Sequence, residues 1–131
     1  MKLLLDTHAF LWFITDDPAL SSEAKSLIEN PDNDVFLSVA SLWEMAIKVS
    51  IGKLTIKQPF DVFMTEQIRL NSISLLNISI DHVNLITSLP FHHRDPFDRL
   101  LIAQAMAEQL SLVSADVIFD SYDIKRLWRT S

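Results

Sequence analysis

The chain has 131 residues, room for one domain (1–131) and little more. Hydrophobic residues make up 49 % of it, Gly occurs once and Cys not at all, which excludes a disulfide framework, a cysteine-ligated zinc site and thiol catalysis and makes a long flexible linker improbable on composition. With 17 acidic against 11 basic residues the net charge is −6, which argues against a broad basic nucleic-acid footprint unless carboxylates are gathered at one place and neutralised by divalent metal.

The opening Met1-Lys2-Leu3-Leu4-Leu5 run is broken by Asp6, too early for a signal peptide or a membrane span. No other stretch nears the roughly 18 uninterrupted apolar residues that a span needs. A cytoplasmic protein with no membrane partner is expected. Residues 2–5 read as a short buried strand and 7–14 as a helix, followed by a turn at Asp16-Asp17-Pro18. Residues 20–29 form an amphipathic helix and Asn30-Pro31-Asp32-Asn33 a turn. A second strand over 35–38 leads to a helix over 41–50, ended near Gly52. Pro59 starts a helix over 59–70, ahead of a strand at 75–78 and a helix at 80–88 stopped by Pro90. Residues 95–109 give the longest helical signal, apolar almost all round from Leu100 to Ala107 and hence central. Strands at 112–114 and 124–128 close the chain. Strands alternating with helices predict an α/β fold of three layers, with a parallel sheet of four to five strands between helices. In such sheets, ligands bind outside the carboxyl ends of the strands.

Four acids fall at that rim: Asp6 at the end of the first strand, Glu44 and Asp98 in first helical turns, and Asp116 two residues past the fourth strand. Each has a bland explanation. Asp6 can cap the helix at Thr7, Ser41 and Glu44 have capping-box spacing, Asp95-Pro96-Phe97-Asp98 reads as a cap with an acid after it, and Asp116 can close a turn. Four acids on one rim exceed what capping needs, and crowded carboxylates repel unless a cation intervenes. Oxygen-only ligands select a hard ion, magnesium or manganese rather than zinc. Such ions suit phosphodiester hydrolysis, lowering the pKa of bound water and clamping phosphate oxygens.

At these residues the sequence resembles the PIN-domain ribonucleases, and more narrowly the VapC-type toxins of bacterial toxin–antitoxin pairs. Leu3-Leu4-Leu5-Asp6-Thr7-His8 looks like the family's first strand with its Asp, and Ser38-Val39-Ala40-Ser41-Leu42-Trp43-Glu44 like the segment carrying its Glu. Asp95-Pro96-Phe97-Asp98-Arg99-Leu100-Leu101-Ile102-Ala103-Gln104-Ala105 is the most specific match, and Leu112-Val113-Ser114-Ala115-Asp116 looks like the source of the last acid. The resemblance covers essentially the whole chain. It implies a PIN fold, magnesium-dependent endonucleolytic cleavage of RNA with manganese as a substitute, a homodimer, and inhibition by a small antitoxin. By position, Asp6 and Asp98 become the principal metal ligands, and Glu44 and Asp116 complete the site or orient the attacking water. Asp95 competes with Asp98, which is favoured because it directly precedes the apolar run. Asp120 competes with Asp116, which lies nearer the strand end.

Thr7 either braces the Asp6 loop or caps its helix, and Arg94 and Arg99 flank the acids as phosphate contacts. His8 reads as structural, His92 and His93 as a solvated loop and His82 as helix surface. Trp12, Trp43 and Phe97 suit core or dimer packing better than base stacking, and Lys48, Lys53 and Lys57 a solvated face. Two other readings compete. One is a non-catalytic interaction module with the same fold. The other is a phosphatase-like enzyme with Asp6 as nucleophile, which usually wants an acid two residues on, where this chain has His8.

Overall fold

Leu3, Leu4 and Leu5 are all wholly buried, which a strand achieves only where both faces of its sheet are covered. The computed structural model describes residues 1–129; residues 130–131, the end of the expected 1–131 domain, lie outside the described residues. In chain order the elements are β1 (Lys2–Leu5), α1 (Thr7–Ile14), α2 (Ser22–Glu29), β2 (Asp34–Ser38), α3 (Val39–Ser50), α4 (Phe60–Leu70), β3 (Ile73–Leu76), α5 (Ile80–Ile86), α6 (Pro96–Glu108), β4 (Ser111–Val113), a 3-10 turn (Val117–Ser121) and β5 (Arg126–Leu127). All pairings are parallel, in the order β3-β2-β1-β4-β5. The expected three-layer α/β/α arrangement is therefore present, with five strands.

Leu3 and Leu5 face one layer, where Phe10 of α1, Ala24 and Ile28 of α2, Met45 of α3 and Met64 of α4 complete a core. Leu4 faces the other, against Leu101, Ile102 and Ala105 of α6 and Phe119 and Tyr122 beyond β4. Residues 99–105 of α6 are all buried, as the apolar run predicts. The chain leaves β1 for β2 and β3 on one side, then returns to place β4 on the other. The carboxyl ends of β1 and β4 thus form the switch point where such sheets open a crevice.

Several boundaries differ from expectation, each for a local reason. Ser21 caps α2, its hydroxyl accepting from Ala24 N at 3.1 Å, so the helix starts after Leu20. Ser38 caps α3, accepting from Ala40 N, so Ser41 lies inside the helix and the Ser41–Glu44 capping box does not form. β3 begins at Ile73, two residues early, because Ser72 turns the chain out of α4 at φ 53° and Ile73 then pairs with Val35. His82, expected at a helix surface, is 2 % exposed. Its Nδ1 accepts from Ser79 N, its Nε2 faces Glu108, and it forms a reciprocal cap with Ser79. No helix among the described residues is long and apolar enough to cross a membrane.

Arg99 departs most from its expected role as a phosphate contact. It is buried on α6, and its guanidinium donates to the carbonyls of Pro90, His93, Ile86 and Leu89 while lying over the Phe91 ring at 4.0 Å. One side chain therefore ties down the loop between α5 and α6. Arg99→Met should lower the unfolding free energy by about 3 kcal/mol or more, because buried carbonyls lose a charged donor. Exposed Arg94→Met should cost less than about 0.5 kcal/mol. Urea unfolding checks the pair, and equal effects would contradict this assignment.

Candidate active site

The end of β1 turns directly into α1, and Asp6 sits on that corner. Its Oδ1 accepts from Ala9 N at 2.7 Å, capping α1, and the residue is only 6 % exposed. β2 passes into α3 in the same way and brings Glu44 to the rim one turn further on. Thr7 Oγ1 donates to Glu44 Oε1 at 2.7 Å, and Ser41 Oγ lies 3.0 Å from the same hydroxyl. With its one proton committed to Glu44, Thr7 accepts from Ser41. Thr7 and Ser41 thus fix the Glu44 carboxylate, and Thr7 does not cap α1, a role that Asp6 fills.

Asp95 caps α6, its Oδ1 accepting from Phe97 N at 2.8 Å and Asp98 N at 3.1 Å, which leaves Asp98 free of capping duty. Asp116 caps the 3-10 turn through Oδ1, which accepts from Ile118 N at 3.1 Å. Asp6, Glu44, Asp98 and Asp116 meet in one cleft of about 270 Å³, with Thr7, His8, Lys48 and Asp95 also on its walls. A larger groove of 480 Å³ runs between α2 and β5, but it gathers no comparable set of acids. Asp120 is drawn off by Arg126, which donates to both its oxygens at 2.9 and 3.0 Å and holds its carboxyl below the usual range. Arg126 also donates to Ser114 O at 3.0 Å, bracing the strand end before Asp116.

Burial pushes the Asp6 carboxyl up, a shift opposed by the Ser114 hydroxyl, the Ala9 N–H and His8. Asp98 is pushed up to about 7, first by burial and then by the charges of Asp95, Glu44, Asp6 and Asp116. Repulsion among these groups is therefore felt most at Asp98. Carboxylate oxygens dominate the cleft, beside Thr7, His8 and Lys48, and a set so rich in anionic oxygen fits a hard divalent cation and would be relieved by one.

Two residues at the site were read otherwise from the sequence. Lys48, assigned to a solvated face, has Nζ 3.4 Å from Glu44 Oε2 and lines the cleft. Its signal was the four-residue spacing from Glu44 on one helix. His93, assigned to a solvated loop, has Nε2 3.0 Å from Asp98 Oδ2 and 3.4 Å from Asp116 Oδ2. No periodicity marks it, since it lies on an irregular segment. Trp43 is no core residue: it is 60 % exposed and meets the Phe97 ring edge-on at 5.1 Å. Arg94 is exposed and does not line the cleft.

The PIN domain family matches residues 3–125, and the chain belongs to that family. It is also similar to Ribonuclease VapC16 of Mycobacterium tuberculosis, 32 % identical over 63 residues; the match covers 48 % of this chain and 43 % of that protein, so less than half of the relative is spanned. The fold superposes on VapBC2 from Rickettsia felis bound to a DNA fragment from their promoter, with a TM-score of 0.71, 19 % identity, and 98 % of this chain and 100 % of that chain covered. For FitAcB from Neisseria gonorrhoeae the TM-score is 0.66 at 16 % identity, covering 95 % of this chain and 96 % of that one.

The raised Asp98 carboxyl has a consequence for stability. The folded protein keeps this proton up to about pH 7, whereas the unfolded chain releases it near about pH 4. The stabilisation is therefore complete below about pH 4 and is lost as pH rises through about 7. Metal-free protein should weaken between about pH 4 and about pH 7, and Asp98→Asn should remove much of that slope. At pH 8 the variant should be more stable than wild type by on the order of 1 kcal/mol, solvent screening having reduced the effect. Urea unfolding in EDTA tests this; parallel pH profiles for the two proteins would contradict it.

Proposed function

We propose that this chain is a divalent-metal-dependent endoribonuclease, the toxin of a VapC-type toxin–antitoxin pair. The observation that carries this reading is the convergence of Asp6, Glu44, Asp98 and Asp116 on one small cleft, with the repulsion concentrated at Asp98. Asp6 and Asp98 are the principal ligands of a magnesium ion, for which manganese can substitute. Glu44 and Asp116 complete the site or orient the attacking water. A bound ion of this class supplies Lewis acidity toward phosphate oxygen and a more acidic water.

The chain's own groups supply the rest. Thr7 holds Glu44 in one orientation. Lys48 places a positive charge on the cleft wall, where it partly offsets the acids and can meet a phosphate. Burial first, and then the neighbouring acids, raise the Asp6 and Asp98 carboxyls, and a bound cation would offset both by supplying a positive charge beside the ionised groups. Similarity to Ribonuclease VapC16 supports RNA as the substrate. The likeness in fold to VapBC-5 from Mycobacterium tuberculosis, a member of the VapBC family of toxin-antitoxin systems, supports a small antitoxin as partner. A homodimer and a cytoplasmic setting belong to the same reading; Trp43 and Ile47 of α3 and Ile51 at its C-cap, exposed at four-residue spacing, offer one apolar row for self-association.

Purified protein with magnesium should cleave single-stranded RNA, and EDTA should abolish cleavage. Asp98→Asn and Asp6→Asn should each lower the rate by about 100-fold or more, in keeping with the loss of a metal ligand. Undiminished cleavage by Asp98→Asn would remove the site assignment. Absence of both cleavage and manganese binding in the wild type would favour the non-catalytic module.

A further inference from the structure

Behind the cleft lies a histidine to which the reading above gives no task. His93 Nε2 is shielded from solvent and forms no well-aligned hydrogen bond, although Asp98 Oδ2 and Asp116 Oδ2 are 3.0 and 3.4 Å away. The other ring nitrogen, Nδ1, accepts the backbone N–H of Asp95 at 3.2 Å. A nitrogen that accepts an N–H bond presents its lone pair there, so the hydrogen-bond network assigns the proton of the neutral ring to Nε2. Nε2 therefore meets the two carboxylates as a donor.

That assignment decides between two roles. Nε2 and one oxygen from each of Asp98 and Asp116 lie within 4.8 Å of one another, close enough for all three to grip one ion. A metal-ligating nitrogen must offer a lone pair, and the bond from Asp95 N leaves that lone pair on the opposite side of the ring. His93 also does not line the cleft. The residue is held firmly in place. Its N–H donates to Tyr122 Oη at 2.7 Å, and that hydroxyl donates to Pro90 O at 2.7 Å. Its carbonyl accepts from Arg99, and its ring lies 5.5 Å from that of Phe119.

We propose that His93 is a positioning residue of the metal centre: its anchored ring sets Nε2–H 3.0 Å from Asp98 Oδ2 and 3.4 Å from Asp116 Oδ2, and the attraction of this dipole for both carboxylates keeps the two acids at ligand spacing. The two acids come from separate elements, α6 and the turn after β4, and His93 links them directly. The arrangement reverses the usual outer sphere, in which a ligating histidine donates to a carboxylate; here an outer histidine donates to ligating carboxylates. The inference rests on the metal-dependent reading above.

The test is calorimetric titration of the full chain with Mn²⁺, paired with electron spin-echo spectra of the bound ion. His93→Phe should weaken Mn²⁺ binding by about 10–100-fold. His93→Gln, which returns a side-chain N–H at similar reach, should recover most of that loss. The wild-type spectrum should show no directly bound nitrogen. A directly bound nitrogen, or wild-type affinity in His93→Phe, would overturn the proposal while leaving the metal-dependent reading standing. Failure of wild type to bind Mn²⁺ would overturn both. Should His93→Phe fail to fold, His93→Gln decides: affinity near wild type supports the proposal, and a loss as large as that of Asp98→Asn contradicts it.

Discussion

Crowding of negative charge at the carboxyl edge of the sheet is the constraint on which the rest of the structure turns. Five carboxylates, the capping Asp95 among them, line one cleft, and Asp98, pushed up by burial and by the charges of the other four, holds its proton up to about pH 7. A chain optimised for stability alone has no reason to bury acids against one another. Their convergence is enforced by topology. Three of them follow β1, β2 and β4, and α6, which carries Asp98, is locked against the sheet by the buried face 99–105. None can leave the rim without unpacking a helix start or a strand end.

The scaffold answers this strain with polar bonds directed at the acids and at the loops that carry them. Asp6 and Asp116 each commit Oδ1 to a backbone N–H, as helix caps do. Thr7 and Ser41 hold Glu44. Arg99 and Tyr122 fasten the segment that leads into α6, and Arg126 removes Asp120 from competition while gripping Ser114. Lys48 is the cation on the cleft wall. The net charge of −6 is thus no bar to a polyanionic substrate, because some of the excess acid lies where a divalent ion can neutralise it.

Most of the architecture was legible in the sequence, because strand ends and helix starts are marked by the same residues that build the rim. Capping and a place on the cleft wall are compatible: Asp6 and Asp116 each serve the backbone through Oδ1 and still line the cleft. What misled was local ambiguity. Ser38 and Ser41 are both good caps, and only the length of β2 decides that Ser38 serves while Ser41 turns inward to Thr7. Arg99 follows Asp98 directly, so proximity in sequence suggested a shared role. The helical turn instead puts it on the buried side of α6. His93 and His82 owe their placement to tertiary contacts from Tyr122, Arg99 and Glu108, which no local pattern encodes.

The central claim is that Asp6 and Asp98 hold a shared hard cation. Crystals soaked in manganese and measured at a wavelength where the ion scatters anomalously test it most directly. The account predicts an anomalous peak in the cleft, about 2.0–2.2 Å from an oxygen of each of these two side chains. Clean density there, with manganese found only at other acids of the surface, would contradict it.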